Sequence, residues 1–295
     1  MQINGSIVLY EDNDESLKKA INSFLNTSLS VKLYLVDNST TNRLKYLEKL
    51  DNRIFYIYNN SNIGFGKAHN IALQKSIEEG VLYHLVLNPD VYFDSGVLEE
   101  LFDFMEKNKD VANVMPKVFY PDGNLQYLCK LLPTPKELIA RRFIKNDETI
   151  QKINHHYELR DSGYDKILNI PFLSGCFMFL RVEHLKEIGL FDEKIFMYME
   201  DTDLNRRLHV KYKTIFYPKV SITHVHAKES YKRKLLLWEH IKSTIYYFNK
   251  YGWFFDSFRQ KKNQEVIKSI KILNSDIYKF GAKTSTKMVE KTEVV

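Results

Sequence analysis

Residues 85–93 read LVLNPDVYF. Leu85, Val86 and Leu87 form the continuous apolar run of a strand covered on both faces. They lead straight into an amide, a proline and a carboxylate. Pro89 cannot donate to a ladder and does not belong inside a central strand, so the strand has to stop at Asn88. Asp90 then stands at the mouth of a buried strand, and Val91-Tyr92-Phe93 return the chain to the core. In open α/β sheets, ligands bind outside the carboxyl ends of the strands. Asp90 is therefore expected on the rim of a ligand crevice.

Upstream, apolar runs alternate with helical patterns. GSIVLY (5–10) reads as a first strand, and Leu17, Ala20, Ile21, Phe24 and Leu25 follow at helical spacing. VKLYLVDN (31–38) and RIFYIYN (53–59) are further strands, separated by a predicted helix in TTNRLKYLEKL. KAHNIALQKSIEEG is a helix with a glycine stop at Gly80. Such alternation predicts parallel βαβ units with helices on both faces of a sheet. Three strand ends are then polar together: Tyr10-Glu11-Asp12, Asp37-Asn38 and Asn88-Pro89-Asp90. Beyond residue 111, VANVMPKVFYPDGNLQYL predicts a strand, a Pro-Asp-Gly turn and a return strand. Residues 129–166 read as an irregular basic insertion or flap. ILNIPFLSGCFMFLRVE (167–183) reads as a long apolar strand with a Ser-Gly break, and the chain turns helical from Lys232.

At 295 residues with 44% hydrophobic and 27% charged content, the chain can bury a large core without staples. Cys129 and Cys176 are its only cysteines and lie far apart, as in a reduced, cytosolic protein. The start, MQINGSIVLYEDN, does not read as a secretory leader, and without a run of 18 uninterrupted apolar residues no membrane-spanning helix is expected.

Four clusters carry possible chemistry. NNSNIGFGKAHN (59–70) follows a strand and opens a helix, where Gly64 and Gly66 allow a ligand close to backbone. An ordinary βα loop would look similar, and the first βα turn lacks a dinucleotide fingerprint. Asp90 can hold magnesium or manganese if substrate phosphates add oxygens, or it can serve a turn. Glu200, Asp201 and Asp203 crowd a helix start, with Arg206 and Arg207 one turn on. This arrangement complements a helix dipole, but the apolar IFMYM before it sets the acids where core meets crevice, where one can act as a general base. His224 and His226 share a face at a strand end and are potential metal ligands.

The order of these clusters resembles family 2 glycosyltransferases of the GT-A fold, closest to bacterial rhamnosyltransferase-like members. The resemblance spans about residues 4–255. It rests on VDNST, NNSNIGFGKAHN, LVLNPDVYF, THVHAKESY and the long stretch from Phe172 to Leu208. It implies an α/β fold with a mixed, mostly parallel sheet and a C-terminal helical extension. A catalytic domain is expected over 1–230, divided near residue 110 into a nucleotide-sugar half and an acceptor half. A basic amphipathic helical region would follow over 231–280, and then a disordered tail over 281–295.

The resemblance also implies roles. Tyr10, Glu11 and Asp37 would receive the nucleoside, and Asn62, Gly64 and Asn70 the remainder of the donor. Asp90 would bind metal, with Asn88 in place of the first aspartate of the family's Asp-x-Asp element. Ser174 and Gly175 would lie on the acceptor side. Asp201 would be the base, with Glu200 beside it. Either His224 or His226 would complete the metal site, and Arg206 and Arg207 would stabilise the diphosphate. The implied cofactor is a divalent metal. The implied donor is dTDP-rhamnose, with a UDP-hexose as the alternative, and the acceptor a lipid-linked oligosaccharide.

Residues 231–260 are basic, with Leu235, Trp238, Ile241, Ile245 and Phe248 on one face and Trp253, Phe254 and Phe255 following. They read either as a helix packed on the catalytic domain or as one lying on an anionic membrane surface. The second reading predicts a cytoplasmic protein held peripherally at the inner face of the membrane. A nucleotidyltransferase is disfavoured because LYEDNDES is acidic where a phosphate loop is needed. A nucleic-acid binder is disfavoured because acids, not bases, occupy the crevice positions. A degenerate, non-catalytic relative remains the third alternative, on account of Asn88.

Overall fold

The computed structural model describes residues 2–138, 144, 146–225 and 234–289, with side chains described there except at 234–235 and beyond 275. The elements run β1 (Ile3–Leu9), α1 (Asp14–Leu25), β2 (Val31–Asp37), a 3-10 helix (Arg43–Lys49), β3 (Ile54–Tyr58) and α2 (Phe65–Glu78). Next come β4 (Tyr83–Leu87), β5 (Val91–Tyr92), α3 (Val97–Lys107), β6 (Val111–Phe119), β7 (Cys129–Lys130) and α4 (Asp147–Tyr157). They are followed by β8 (Leu168–Asn169), β9 (Phe172–Leu173), β10 (Phe177–Arg181), α5 (Val182–Ile188) and α6 (Glu200–Lys211). The last are β11 (Lys213–His224), α7 (Lys234–Tyr251) and α8 (Ser257–Val289).

Among the described residues, nine strands form one sheet in the order β3-β2-β1-β4-β10-β6-β11-β5, with β8 added on β11. The four N-terminal strands are parallel, and β10 runs antiparallel between β4 and β6. The fold is thus the expected mixed, mostly parallel sheet with helices and a C-terminal helical part. Local chemistry explains the units. Asn13 caps α1 by accepting from the Glu15 backbone N–H, and Asp14 and Glu15 complement the helix dipole. The opposite face of α1 buries Leu17, Ala20, Ile21, Phe24 and Leu25 against the sheet. Gly5 leaves room there, because a Cβ would lie 2.6 Å from the Phe24 ring.

After β1 the chain steps to β2 on one side and later returns to β4 on the other. The polar strand ends therefore gather around one switch in strand order, the usual ligand position.

The helix expected in TTNRLKYLEKL forms as a 3-10 helix over Arg43–Lys49. Two local expectations are corrected. The Pro-Asp-Gly turn forms, with Tyr120 N bonding to Asn124 O at 2.8 Å, but the return is a single bridge, Phe119 to Leu125, rather than a strand. The chain diverges there, and Gln126 bonds to the end of β11. The 167–183 run is three short strands followed by α5, because β8, β9 and β10 each pair with a different neighbour.

Candidate active site

Asp90 follows β4 at the crevice, where its Oδ1 lies 3.3 Å from Nε2 of His224, at the end of β11. His224 is nearly buried. Its Nδ1 sits 3.0 Å from Oε1 of Gln126, whose amide donates to the His224 carbonyl at 2.6 Å. Burial opposes charge on His224, but the Cys176 sulfur and the Asp90 carboxylate favour it more, and its pKa rises to about 10. His226 lies outside the described residues. Among the described residues, no group of three or more His, Cys, Asp or Glu side chains is arranged to hold a metal alone. Asp90 and His224 instead pair with each other, the carboxylate favouring the protonated ring.

Asp37 is fully buried at the end of β2. Its Oδ1 accepts from Ser39 N at 2.8 Å and its Oδ2 from the Tyr56 hydroxyl. Burial and this carboxylate raise the Tyr56 pKa, so the phenol stays a donor. Tyr10 is half exposed at the end of β1, and Glu11, with φ of 55°, accepts from the Thr40 backbone and hydroxyl. Asp12 was not singled out from the sequence. Burial and the charges of Asp90 and Asp37 raise its pKa, against the Tyr10 backbone hydrogen bond, to about 6. Asp12 thus lies near enough to Asp90 and Asp37 to feel their charge, which a cationic group beside them would offset.

The loop before α2 is held by amides. Asn38 Nδ2 donates to Gly64 O at 3.2 Å and lies 3.4 Å from Asn62 Oδ1, which also accepts from Gly64 N. Gly64 has φ of +93°, and a Cβ on it would lie 2.5 Å from the Phe196 carbonyl. That approach allows Phe65 N to bond to Phe196 O at 3.0 Å.

The acids at the start of α6 face the same region. Asp201 Oδ2 accepts from Gly175 N at 2.9 Å, and Oδ1 from Thr202 N at 2.7 Å. Burial raises the Asp201 pKa and outweighs these hydrogen bonds and the positive charge of Lys130. Glu200 is buried, with Oε2 lacking a hydrogen-bond partner among the described residues. Burial and the charge of Asp201 hold its pKa well above the usual range. Ser174–Cys176 joins the two centres: Gly175 holds Asp201, Cys176 O accepts from Asn88 N at 3.0 Å, and the Cys176 thiol hydrogen-bonds His224. Tyr198 and Met199, just before the acids, have φ of 66° and 70°. Left-handed non-glycine residues cost about 1–3 kcal/mol each and concentrate at functional sites.

Other residues singled out from sequence have protein partners. Arg206 forms a buried two-point pair with Asp256 at 2.6 and 2.8 Å. Arg207 binds Asp203 and the carbonyls of Ile188, Gly189 and Leu190. Instead of facing a diphosphate, both guanidinium groups spend their donors on protein acceptors. Asn70 exchanges two hydrogen bonds with the Phe191 backbone, at 2.9 and 3.0 Å. It ties α2 to the loop before α6. Asp12, Cys176, Gln126 and Lys130 were missed. Asp12 alone had a sequence signal, as the third polar residue at a strand end.

Residues 7–189 match the model of the glycosyl transferase family 2 domain, and the chain belongs to that family. It is 23% identical over 219 residues to N-acetylglucosaminyl-diphospho-decaprenol L-rhamnosyltransferase of Mycobacterium tuberculosis, covering 68% of each chain. It is 24% identical over 249 residues to rhamnosyltransferase WbbL of Escherichia coli, covering 82% of this chain and 90% of that one. Similar solved structures include GalNAc-T7 with UDP, GalNAc and Mn2+, at TM-score 0.57 and 15% identity, covering 76% of this chain and 43% of that one. Residues 1–349 of S. aureus TarS with UDP align at TM-score 0.53 and 16% identity, covering 81% of this chain and 65% of that one. These likenesses identify the fold as that of GT-A glycosyltransferases. The chain spans less than half the length of GalNAc-T7.

Proposed function

We propose that the chain transfers a deoxyhexose, L-rhamnose first, from dTDP-rhamnose to a hydroxyl of a lipid-linked oligosaccharide, with inversion at the anomeric carbon. A UDP-hexose is the alternative donor. The carrying observation is the Ser174–Cys176 turn, which binds Asp201 on one side and the Asn88–Asp90 turn and His224 on the other. An acceptor hydroxyl beside Asp201 would then face a sugar whose diphosphate rests near Asp90.

In this reading Asp201 takes the proton from the acceptor hydroxyl as it attacks. Its raised pKa makes it a stronger base than an exposed aspartate. Burial and the charge of Asp201 push the neighbouring Glu200 toward its neutral form. A magnesium or manganese ion held by Asp90, and joined by His224 only after that ring gives up its proton, would stabilise the charge of the departing diphosphate. Tyr10, Glu11 and Asp37 would surround the nucleoside, and Asn62, Gly64 and Asn88 would line the path to the sugar. The curated relatives with rhamnosyltransferase names support the sugar, and the decaprenol in one name supports a lipid-linked acceptor.

That acceptor calls for a protein near the cytoplasmic face of a membrane. No described helix is long and apolar enough to cross one. Trp238, Phe254 and Phe255 are 58%, 77% and 92% exposed, as a peripheral contact requires.

The test is melting temperature across UDP, dTDP and their sugars, with and without manganese, followed by turnover of Asp201→Asn. Binding only the folded state raises the melting point. Asp201→Asn is expected to lose about 10²–10⁴-fold in turnover while keeping its nucleotide shift. Normal turnover in this variant would remove Asp201 as the base.

A further inference from the structure

The helical pair α7–α8 is tied to the acid-bearing helix by more than apolar packing. Ser243 Oγ on α7 donates to the Met197 carbonyl at 2.8 Å. The rings of Tyr198 and His240 lie 5.0 Å apart. Met199 packs with Tyr247, Phe248, Leu138, Tyr251 and Trp253. One turn into α6, Asp203 accepts from Lys250 Nζ and the Tyr251 hydroxyl, each at 2.7 Å. Arg206 pairs with Asp256, and its guanidinium lies 4.0 Å from the Tyr251 ring centroid and 5.1 Å from that of Phe258. On its other side, Phe196 O accepts from Phe65 N at the start of α2.

The segment Phe196–Met199 thus lies between the donor-side loop and α7, and immediately precedes Glu200 and Asp201. Two successive left-handed residues do not persist unless their surroundings over-determine them. Here the surroundings are α7 and its elbow with α8. We infer that α7–α8 is a brace that holds Phe196–Met199 in its left-handed turn, so that the donor-side loop and Asp201 are set by one segment. Ser243 and Asp256 are positioning residues, acting through Met197 and Arg206. This rests on the reading of Asp201 as the base for its effect on turnover, but not for the conformational coupling itself.

The first readout is amide hydrogen exchange of the full-length protein, followed over peptides spanning residues 190–205 and 60–70. Ser243→Ala removes one hydroxyl and leaves the apolar face of α7 intact. It is expected to speed exchange in both peptides about tenfold, with exchange over α1 unchanged, and Ser243→Thr should restore protection. The second readout is nucleotide-sugar turnover. Ser243→Ala is expected to lower kcat about tenfold with the donor KM changed less than twofold, again rescued by Ser243→Thr. Asp256→Asn should act in the same direction. Unchanged exchange over 190–205 in both Ser243→Ala and Asp256→Asn would overturn the brace, whatever the turnover. Faster exchange over 190–205 without any change over 60–70 would overturn the link to the donor-side loop. If exchange responds but no nucleotide sugar is turned over by the unaltered protein, the brace stands and the proposed reaction falls.

Discussion

Lowering the pH from 7 to 5 is expected to weaken the parallel N-terminal half of the sheet through two buried histidines. Ser6 on β1 bridges them, with Oγ 2.7 Å from Nδ1 of His69 on α2 and 2.7 Å from Nε2 of His84 on β4. His84 Nδ1 lies 2.7 Å from Ser76 Oγ. Both rings are fully buried. Burial drives the His84 pKa from 6.5 to about 3, and burial with the neighbouring ring drives His69 well below 6.5. In the unfolded chain each protonates near 6.5, whereas in the fold each stays neutral. The unfolded state therefore binds more protons below that value, and stability falls as the pH falls. At pH 5, about 1.5 units below the unfolded value, His84 forfeits about 2 kcal/mol, and His69 adds a loss in the same direction. That is a large share of a typical stability of about 5–15 kcal/mol. The assay is urea denaturation at pH 7, 6 and 5 for the protein and for His84→Gln. Groups common to both cancel, including the raised carboxyls of Asp12, Glu200 and Asp201, which act in the opposite direction. The variant is expected to lose about 2 kcal/mol less than the parent between pH 7 and 5. Equal losses would refute the claim that His84 is neutral because it is buried.

Asp90→Asn is expected to abolish the manganese-dependent part of the nucleotide melting shift while leaving the metal-free part, checked by paired melts with and without a chelator. Gly64→Ala puts a Cβ 2.5 Å from the Phe196 carbonyl at a φ of +93°. It should cost about 1–3 kcal/mol in denaturant melts and weaken nucleotide binding. Phe254→Ser with Phe255→Ser should lower sedimentation with anionic vesicles at low salt and leave the melting temperature within a few degrees, since both side chains are exposed. Asp256→Asn strands Arg206, a nearly buried cation, and breaking such a pair costs about 3–5 kcal/mol in denaturant melts.

The sequence by itself determined the alternation of strands and helices, the family, and the polar strand ends that mark the crevice. These are legible because they are local. Two-sided burial demands a continuous apolar run, and Pro89 stops a ladder wherever it occurs. The clustering of Asp12 with Asp37 and Asp90, the Cys176–His224 contact and the pairing of Arg206 with Asp256 required the tertiary structure. Their partners lie tens of residues apart, and no local periodicity records which side chain will meet which. Arg206 shows the difference most plainly. One turn after an acid pair, it reads from sequence as a cation available to a phosphate. Only the return of α7 and α8 across α6 supplies the buried carboxylate that takes both of its terminal nitrogens. The raised pKa of Asp201 follows the same logic, because the desolvation that outweighs its hydrogen bonds from Gly175 and Thr202 arises from what packs around the helix start.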